Sequence, residues 1–217
     1  MKQALADALQ KRGYETLTPV QTAVTASELA DADLLVSAQT GSGKTVGFGL
    51  AIGGSLLGED EVFERAAKPL ALVIAPTREL ALQVKRELQW LYAEARATMA
   101  SCVGGMDMRD ERRTLERGAH IVVATPGRLR DHIMRKSIDL SELRAVILDE
   151  ADEMLKMGFL EDVEWILEQT PNTRQMALFS ATMPREIKRI ATRFMKSPET
   201  VSIKALIGAK AMINQRY

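Results

Sequence analysis

The stretch Ala38-Gln39-Thr40-Gly41-Ser42-Gly43-Lys44-Thr45 constrains this chain more than any other. Before it runs the short apolar segment Asp33-Leu34-Leu35-Val36-Ser37, and after it Val46 to Leu57 is long enough for three turns of helix. The order is strand, loop, helix. Glycines at 41 and 43 admit backbone angles closed to other residues, so successive N–H groups and the helix N-terminus can converge on an anion. Lys44 then places a cation against the outer phosphates, and the Thr45 hydroxyl is positioned to ligate magnesium. The stretch predicts a nucleoside triphosphate cradle. The general phosphate-loop pattern begins with glycine whereas position 38 is alanine, so from these residues alone a ligand-free glycine-rich turn is the alternative.

Length and composition narrow the setting. A chain of 217 residues, 46% of them hydrophobic, suits one large α/β domain with a sizeable core. The 29 basic and 29 acidic side chains cancel, so any nucleic-acid site has to be a local patch. Cys102 is the only cysteine, which excludes an internal disulfide and a cysteine-rich zinc site. His120 and His132 are too isolated to suggest a metal centre. Asp7 stands where a signal peptide needs an apolar run, and the longest apolar stretch, Leu70 to Ala75, falls far short of the ~20 residues of a spanning helix. The expectation is a soluble cytoplasmic protein without a membrane segment.

Along the chain, continuously apolar runs alternate with helical patterns. Leu5 and Leu9 lie on one face of a helix over 2–12 closed by Gly13, and Thr18-Pro19 caps and starts another with Gln21 in its first turn. Strands are expected at Leu70–Ala75, Met99–Val103, Ile121–Ala124, Ala145–Leu148 and Gln175–Phe179. Helices are expected at Arg78–Glu94, with Leu80, Val84, Leu88 and Leu91 facing inward, and at Met106–Arg117, Arg128–Lys136 and Phe159–Gln169, with a last one opened by Pro184. Such alternation indicates a parallel sheet covered on both faces, with ligands at the carboxyl ends of the strands. Each Gly-, Pro- or acid-rich cluster follows a strand, so all should share one rim.

Asp149 and Glu150 lie just beyond an all-apolar strand. An aspartate there can hold magnesium directly or through water, and Glu150 can orient and deprotonate an attacking water, so hydrolysis is the expected reaction. The alternative is that Asp149, Glu150 and Asp152 are helix-start acids favoured by the dipole.

At this point the sequence resembles a known family. Asp149-Glu150-Ala151-Asp152 spells the signature of the DEAD-box ATP-dependent RNA helicases, and Ala38 to Thr45 matches that family's form of the cradle, alanine included. Thr18-Pro19-Val20-Gln21, Pro76-Thr77-Arg78-Glu79-Leu80, Gly104-Gly105, Thr125-Pro126-Gly127-Arg128 and Ser180-Ala181-Thr182 follow in family order, across nearly the whole chain. The general look is bacterial. The resemblance implies a RecA-like parallel sheet, ATP and Mg2+ as cofactors, and RNA as partner, with Lys44, Asp149 and Glu150 catalytic.

It further implies that Ala38, Thr40, Gly41, Ser42, Gly43, Lys44 and Thr45 bind the nucleotide, that Thr45 and Asp149 hold the metal, and that Gln21 reads the adenine edge. The family's base-stacking aromatic lies upstream of that glutamine, where this chain begins too late to contain it. Tyr14 is no substitute on motif grounds, so weakened adenine affinity is expected. Thr77, Arg78, Gly105, Thr125 and Arg128 match positions that hold the RNA backbone; arginine forks, hydroxyls and glycine-exposed amides suit phosphate and sugar and read no base identity. Solvated helix-start arginines are the alternative for Arg78 and Arg128. Asp152, Ser180 and Thr182 match the motif that couples nucleotide state to RNA grip, and Thr182 could also cap the helix after Pro184.

Fainter signals complete the reading. Arg185, Lys188, Arg189, Thr192 and Lys196 form a basic stripe, better read as a solvated face than as a contact surface. Met154, Met157, Phe159, Trp90 and Trp165 look like packing, Cys102 a small buried side chain, and Gly47 and Gly49 sites of close packing or local softness. Residues 1–208 are expected to form an N-terminal RecA-like domain, with 209–217 starting a linker to a second one. A fragment without that half is expected to bind nucleotide, hydrolyse it poorly and not unwind RNA. A DNA helicase or translocase of the same superfamily, or a nonenzymatic RNA-binding module, are the competing readings.

Overall fold

Every apolar run read as a strand is one, and each pairs in parallel with its neighbours. The computed structural model describes residues 1–203; residues 204–208 of the expected domain and the expected linker start at 209–217 lie outside the described residues. In chain order the elements are α1 (Gln3–Lys11), α2 (Pro19–Val24), a 3-10 turn (Ser27–Leu29), β1 (Leu34–Ser37), α3 (Lys44–Ala51), α4 (Gly53–Leu57), β2 (Ala71–Ile74) and α5 (Arg78–Leu91). There follow β3 (Met99–Cys102), α6 (Met108–Arg117), β4 (Ile121–Ala124), α7 (Pro126–Met134), β5 (Ala145–Leu148), α8 (Ala151–Lys156), α9 (Leu160–Glu168), β6 (Gln175–Ser180), α10 (Arg185–Phe194) and β7 (Glu199–Ser202). The sheet runs β3-β4-β2-β5-β6-β1-β7.

The period of two along each strand divides the core in two. Val73, Val123, Ile147 and Phe179 point to one face and pack with Phe48 of α3 and Val84, Leu88 and Leu91 of α5. Leu72, Ile74, Val146 and Leu178 point to the other and pack with Leu129 of α7, Met154 of α8, Val163 and Ile166 of α9, and Ile187 and Ile190 of α10. Helices therefore cover both faces, which is why β2, β4, β5 and β6 are buried along their whole length.

Helix contacts explain two of the glycines. A Cβ on Gly49 would lie 2.6 Å from Leu91 Cδ2 and 2.8 Å from Leu88 Cδ2, and the Tyr92 hydroxyl donates to Gly49 O at 2.5 Å. Gly49 lets α3 and α5 touch, as close packing requires. The continuous helix expected over Val46–Leu57 instead starts at Lys44 and breaks at Ile52 into α3 and α4. Gly53-Gly54 follows the break, and a Cβ on Gly53 would meet Leu5 Cδ1 at 2.7 Å, so poor helix propensity and the seating of α1 coincide there.

Other departures are local. α7 begins at Pro126 rather than Arg128, since proline suits the first helical position. On α5 the inward face is Ala81, Val84, Leu88 and Leu91, with Leu80 half-buried. Met157 is exposed rather than packed. β7 had no signal: it is a sheet-edge strand, mostly exposed, so it carries no apolar run. In the basic stripe, Arg189 pairs with Glu164 at 3.2 Å and Lys196 Nζ donates to Asn172 O at 2.8 Å, the behaviour of a solvated face. No helix among the described residues is long and apolar enough to cross a membrane.

Candidate active site

Because the strands are parallel, the segments following β1, β2, β3, β4, β5 and β6 emerge on one rim. The loop after β1 turns through Gly41 (φ 81°) and Gly43 (φ 79°), both left-handed, and Gly43 caps α3. A Cβ at Gly43 would also lie 2.7 Å from Gln21 Nε2 and 3.0 Å from Thr18 Oγ1, so the position excludes other residues twice over. Ala38 N donates to Ser180 O at 3.1 Å, anchoring the loop to β6, while the N–H groups of residues 39–43 donate to no acceptor among the described residues. These amides are available to an anion.

Lys44 and Asp149 meet across the rim. Lys44 Nζ lies 2.8 Å from Asp149 Oδ1 and 3.6 Å from Glu150 Oε1, with Asp149 fully buried. The ammonium approaches Asp149 as an ion pair, and among the described residues neither carboxylate oxygen has a well-aligned hydrogen-bond donor; the buried Ser42 hydroxyl is likewise unpartnered among them. Burial pushes the Asp149 carboxyl up from its ordinary value, against the pull of Lys44. An underpaired buried carboxylate is costly unless a cation completes it. Its oxygens, the hydroxyl of Thr45 beside Lys44 at the start of α3, and the loop amides are the set that a magnesium-bound triphosphate requires, so the residues present fit that group.

Glu150 is held on the same side. Its Oε1 accepts from Thr40 Oγ1 at 3.0 Å, and its backbone sits at φ 50°, ψ 53°, in the left-handed region at a non-glycine residue. That conformation costs about 1–3 kcal/mol and persists only where surroundings impose it. Here Asp152 N donates to Ser180 Oγ at 3.1 Å, and Asp152 Oδ2 accepts from Thr182 N at 3.2 Å and Thr182 Oγ1 at 3.0 Å. Burial raises the Asp152 carboxyl, and the bonds from Thr182, Ser180 and Glu153 outweigh it, leaving the group below its ordinary value. Thr182 does not cap α10: its hydroxyl is spent on Asp152, and Pro184 occupies the cap position.

Gln21 reaches the cradle with both amide ends already engaged. Its Oε1 accepts from Thr18 N at 3.0 Å in a capping box, its Nε2 donates to Gly43 O at 3.1 Å, and the residue is fully buried. The amide retains one N–H and one lone pair beyond these bonds.

A second group lies on the far half of the rim. Thr77 caps α5, its Oγ1 accepting from Leu80 N at 3.2 Å, and Thr125 is the cap residue of α7. Arg78 Nη2 donates to Met106 Sδ at 3.3 Å and Arg128 Nη2 to Met106 O at 3.0 Å, so both arginines close on the loop after β3. Gly105 sits at φ 81°, in the left-handed region that favours glycine, and a Cβ there would lie 2.7 Å from Arg78 Nη1 and displace that guanidinium. Sequence reasoning missed Met106, which is exposed between the two guanidinium groups, and Glu111, a buried acid of α6 bonded to Arg128. A glutamate six residues after Gly105, in the first turn of a polar helix, carried no signal without the fold.

Comparison with known proteins agrees with this arrangement. The family model for DEAD/DEAH box helicase matches residues 18–190. An ATP-dependent RNA helicase CshA from Limosilactobacillus reuteri is 44% identical over 217 residues, covering 100% of this chain and 42% of that protein. A DEAD-box ATP-dependent RNA helicase CshA from Bacillus subtilis is 44% identical over 213 residues, covering 98% of this chain and 42% of that protein. The chain thus spans less than half the length of these curated relatives. Among solved structures, a DEAD box protein from the hyperthermophile Methanococcus jannaschii superposes with TM-score 0.84 at 36% identity, over 94% of this chain and 54% of that one. A hypothetical ATP-dependent RNA helicase from Sulfolobus tokodaii gives 0.82 at 35% identity, over 93% and 57%. With a matched model over most of its length, a RecA-like sheet and the signature residues gathered on one rim, the chain belongs to the DEAD/DEAH box helicase family.

Proposed function

We propose that this chain is the ATP-binding domain of an ATP-dependent RNA helicase, which couples ATP hydrolysis to RNA binding and to local unwinding or remodelling of RNA–protein complexes. The observation that carries this reading is the meeting of Lys44, Asp149 and Glu150 at 2.8 and 3.6 Å, with both Asp149 oxygens still short of donors. In this reading the amides around Thr40, Gly41, Ser42 and Gly43, on a loop anchored by Ala38, hold the phosphates, and Lys44 moves from Asp149 toward the outer ones. Thr45 and Asp149 hold Mg2+, which supplies charge stabilisation at the phosphate oxygens when bound. Gln21 selects adenine. Glu150, oriented by Thr40, accepts the proton of the attacking water.

Thr77, Arg78, Gly105, Thr125 and Arg128 grip the RNA sugar-phosphate backbone without reading sequence, because their donors suit phosphate and ribose. Asp152, Ser180 and Thr182 join the loops after β5 and β6, a route by which nucleotide state reaches that grip. Residues 1–208 form the N-terminal RecA-like domain and 209–217 lead toward a second one in the same polypeptide, in a cytoplasmic protein. The test is Glu150→Gln in the full-length protein. It should reduce RNA-stimulated ATP turnover by two orders of magnitude or more, on the scale of about 10²–10⁴ for a general base, while ATP binding persists. Unchanged turnover would remove Glu150 from this role.

A further inference from the structure

Glu111 sits on the otherwise polar helix α6 yet is only 6% exposed. Its two oxygens face different donors. Oε2 accepts from Val103 N at 2.8 Å, and Oε1 accepts from Arg128 Nη1 at 3.1 Å and from His132 Nε2 at 2.9 Å. His132 is fully buried, and its Nδ1 has no partner among the described residues, so its one polar engagement there is with this carboxylate.

The carboxylate therefore ties together the two parts of the RNA-facing rim. Val103 is the residue before Gly104-Gly105, and its amide is pinned by one oxygen. Arg128, which closes on the same loop through Met106 O at 3.0 Å, is pinned by the other. Two of the five guanidinium N–H donors of Arg128 are used in this way, and the others bond no acceptor among the described residues, which leaves them for a phosphate. An apolar residue would fill the space under α6 at lower desolvation cost, so packing alone does not account for a buried acid here.

We propose that Glu111 is a positioning residue for RNA, presenting the Arg128 fork and the Gly104-Gly105 amides in a fixed mutual geometry. The proposal rests on the RNA-backbone reading of Arg128. Chemistry favours a carboxylate over its isostere: donors approach from both sides, and an amide has an acceptor at one end only. With its oxygen toward Val103, a glutamine turns NH2 against Arg128; reversed, NH2 opposes the Val103 N–H. Either way one part of the clamp is released.

The test is a double-mutant cycle in the full-length protein, reading the Kd for a fluorescein-labelled oligouridylate in the presence of a nonhydrolysable ATP analogue, with the analogue's own Kd measured on the same samples. Glu111→Gln should weaken RNA binding roughly tenfold, well beyond any change in nucleotide affinity, and by less than about twofold once Arg128→Ala is present. An equal loss in both backgrounds, or none in either, overturns the proposal. If Arg128→Ala alone leaves RNA affinity intact, the RNA reading of this rim fails and takes the proposal with it. Should Glu111→Gln not fold, Arg128→Lys approaches the same contact from the other side. It keeps the charge but loses the fork, and should cost roughly fivefold in RNA affinity; unchanged affinity would overturn the positioning role.

Discussion

Thr182 donates twice to one oxygen of Asp152, from its amide at 3.2 Å and its hydroxyl at 3.0 Å. Each bond is short in sequence terms for neither partner: the two loops come from different strands, β6 and β5, and meet only because those strands are adjacent in the sheet. Removing the hydroxyl leaves a buried carboxylate oxygen with one donor fewer. Thr182→Val should lower stability by about 1–2 kcal/mol in urea unfolding. A change below the precision of that measurement would mean that solvent replaces the hydroxyl at no cost.

Among the described residues, Gly118 is the least replaceable glycine by geometry. It ends α6 at φ 101°, and a Cβ there would overlap the backbone carbonyl of Ala66, which cannot swing aside as a side chain can. Gly118→Ala should therefore cost about 2–4 kcal/mol, combining backbone strain and overpacking. Gly127, in the first turn of α7 with open space where its Cβ would be, is the control. Gly127→Ala should be neutral or stabilise by up to about 1 kcal/mol. Equal effects in the two variants would contradict this account of the backbone.

His120 supplies a pH dependence. Its Nδ1 accepts from Thr98 N at 2.8 Å and its Nε2 donates to Glu64 O at 2.8 Å, so the ring is held neutral. Burial lowers its pKa from the ordinary value, with the Glu64 carbonyl opposing the shift. The unfolded chain thus takes up a proton near pH ~6.5 that the folded protein refuses until lower pH. Stability from this group is complete above that value and falls as pH drops below it toward the folded pKa, with a slope of at most about 1.4 kcal/mol per pH unit. Urea midpoints between pH 8 and 5.5 should show the fall, and His120→Asn should flatten it. An identical slope in the variant would assign the dependence elsewhere.

Residues that follow buried strands were legible without the structure, because an apolar run ending in a Gly-, Pro- or acid-rich cluster marks both the strand and its rim position. Lys44, Asp149, Arg78 and Thr182 were all located in this way. What stayed hidden depends on distant packing. β7 forms an exposed edge and so has no apolar signature, and at the break after Ile52 the close seating of Leu5 of α1 against Gly53 is a tertiary contact that the sequence does not display. Glu111 reads as one more charge on a polar helix until β3 and α7 bring Val103, Arg128 and His132 around it. Gln21 was placed at the cradle by its motif, and its bond to Thr18 is a local capping box, but its bond to Gly43 depends on how α2 packs against α3.

The central claim is that Lys44 and the acids facing it hold a magnesium-bound triphosphate, and calorimetric titration of MgATP into the folded protein and its Lys44→Ala variant tests it most directly. Charge-assisted bonds to a phosphate contribute about 1.5–3 kcal/mol, so the account predicts one binding site whose affinity falls roughly 10- to 150-fold in the variant and drops when magnesium is chelated. Equal affinity in the two proteins, with circular dichroism showing both folded, would contradict it.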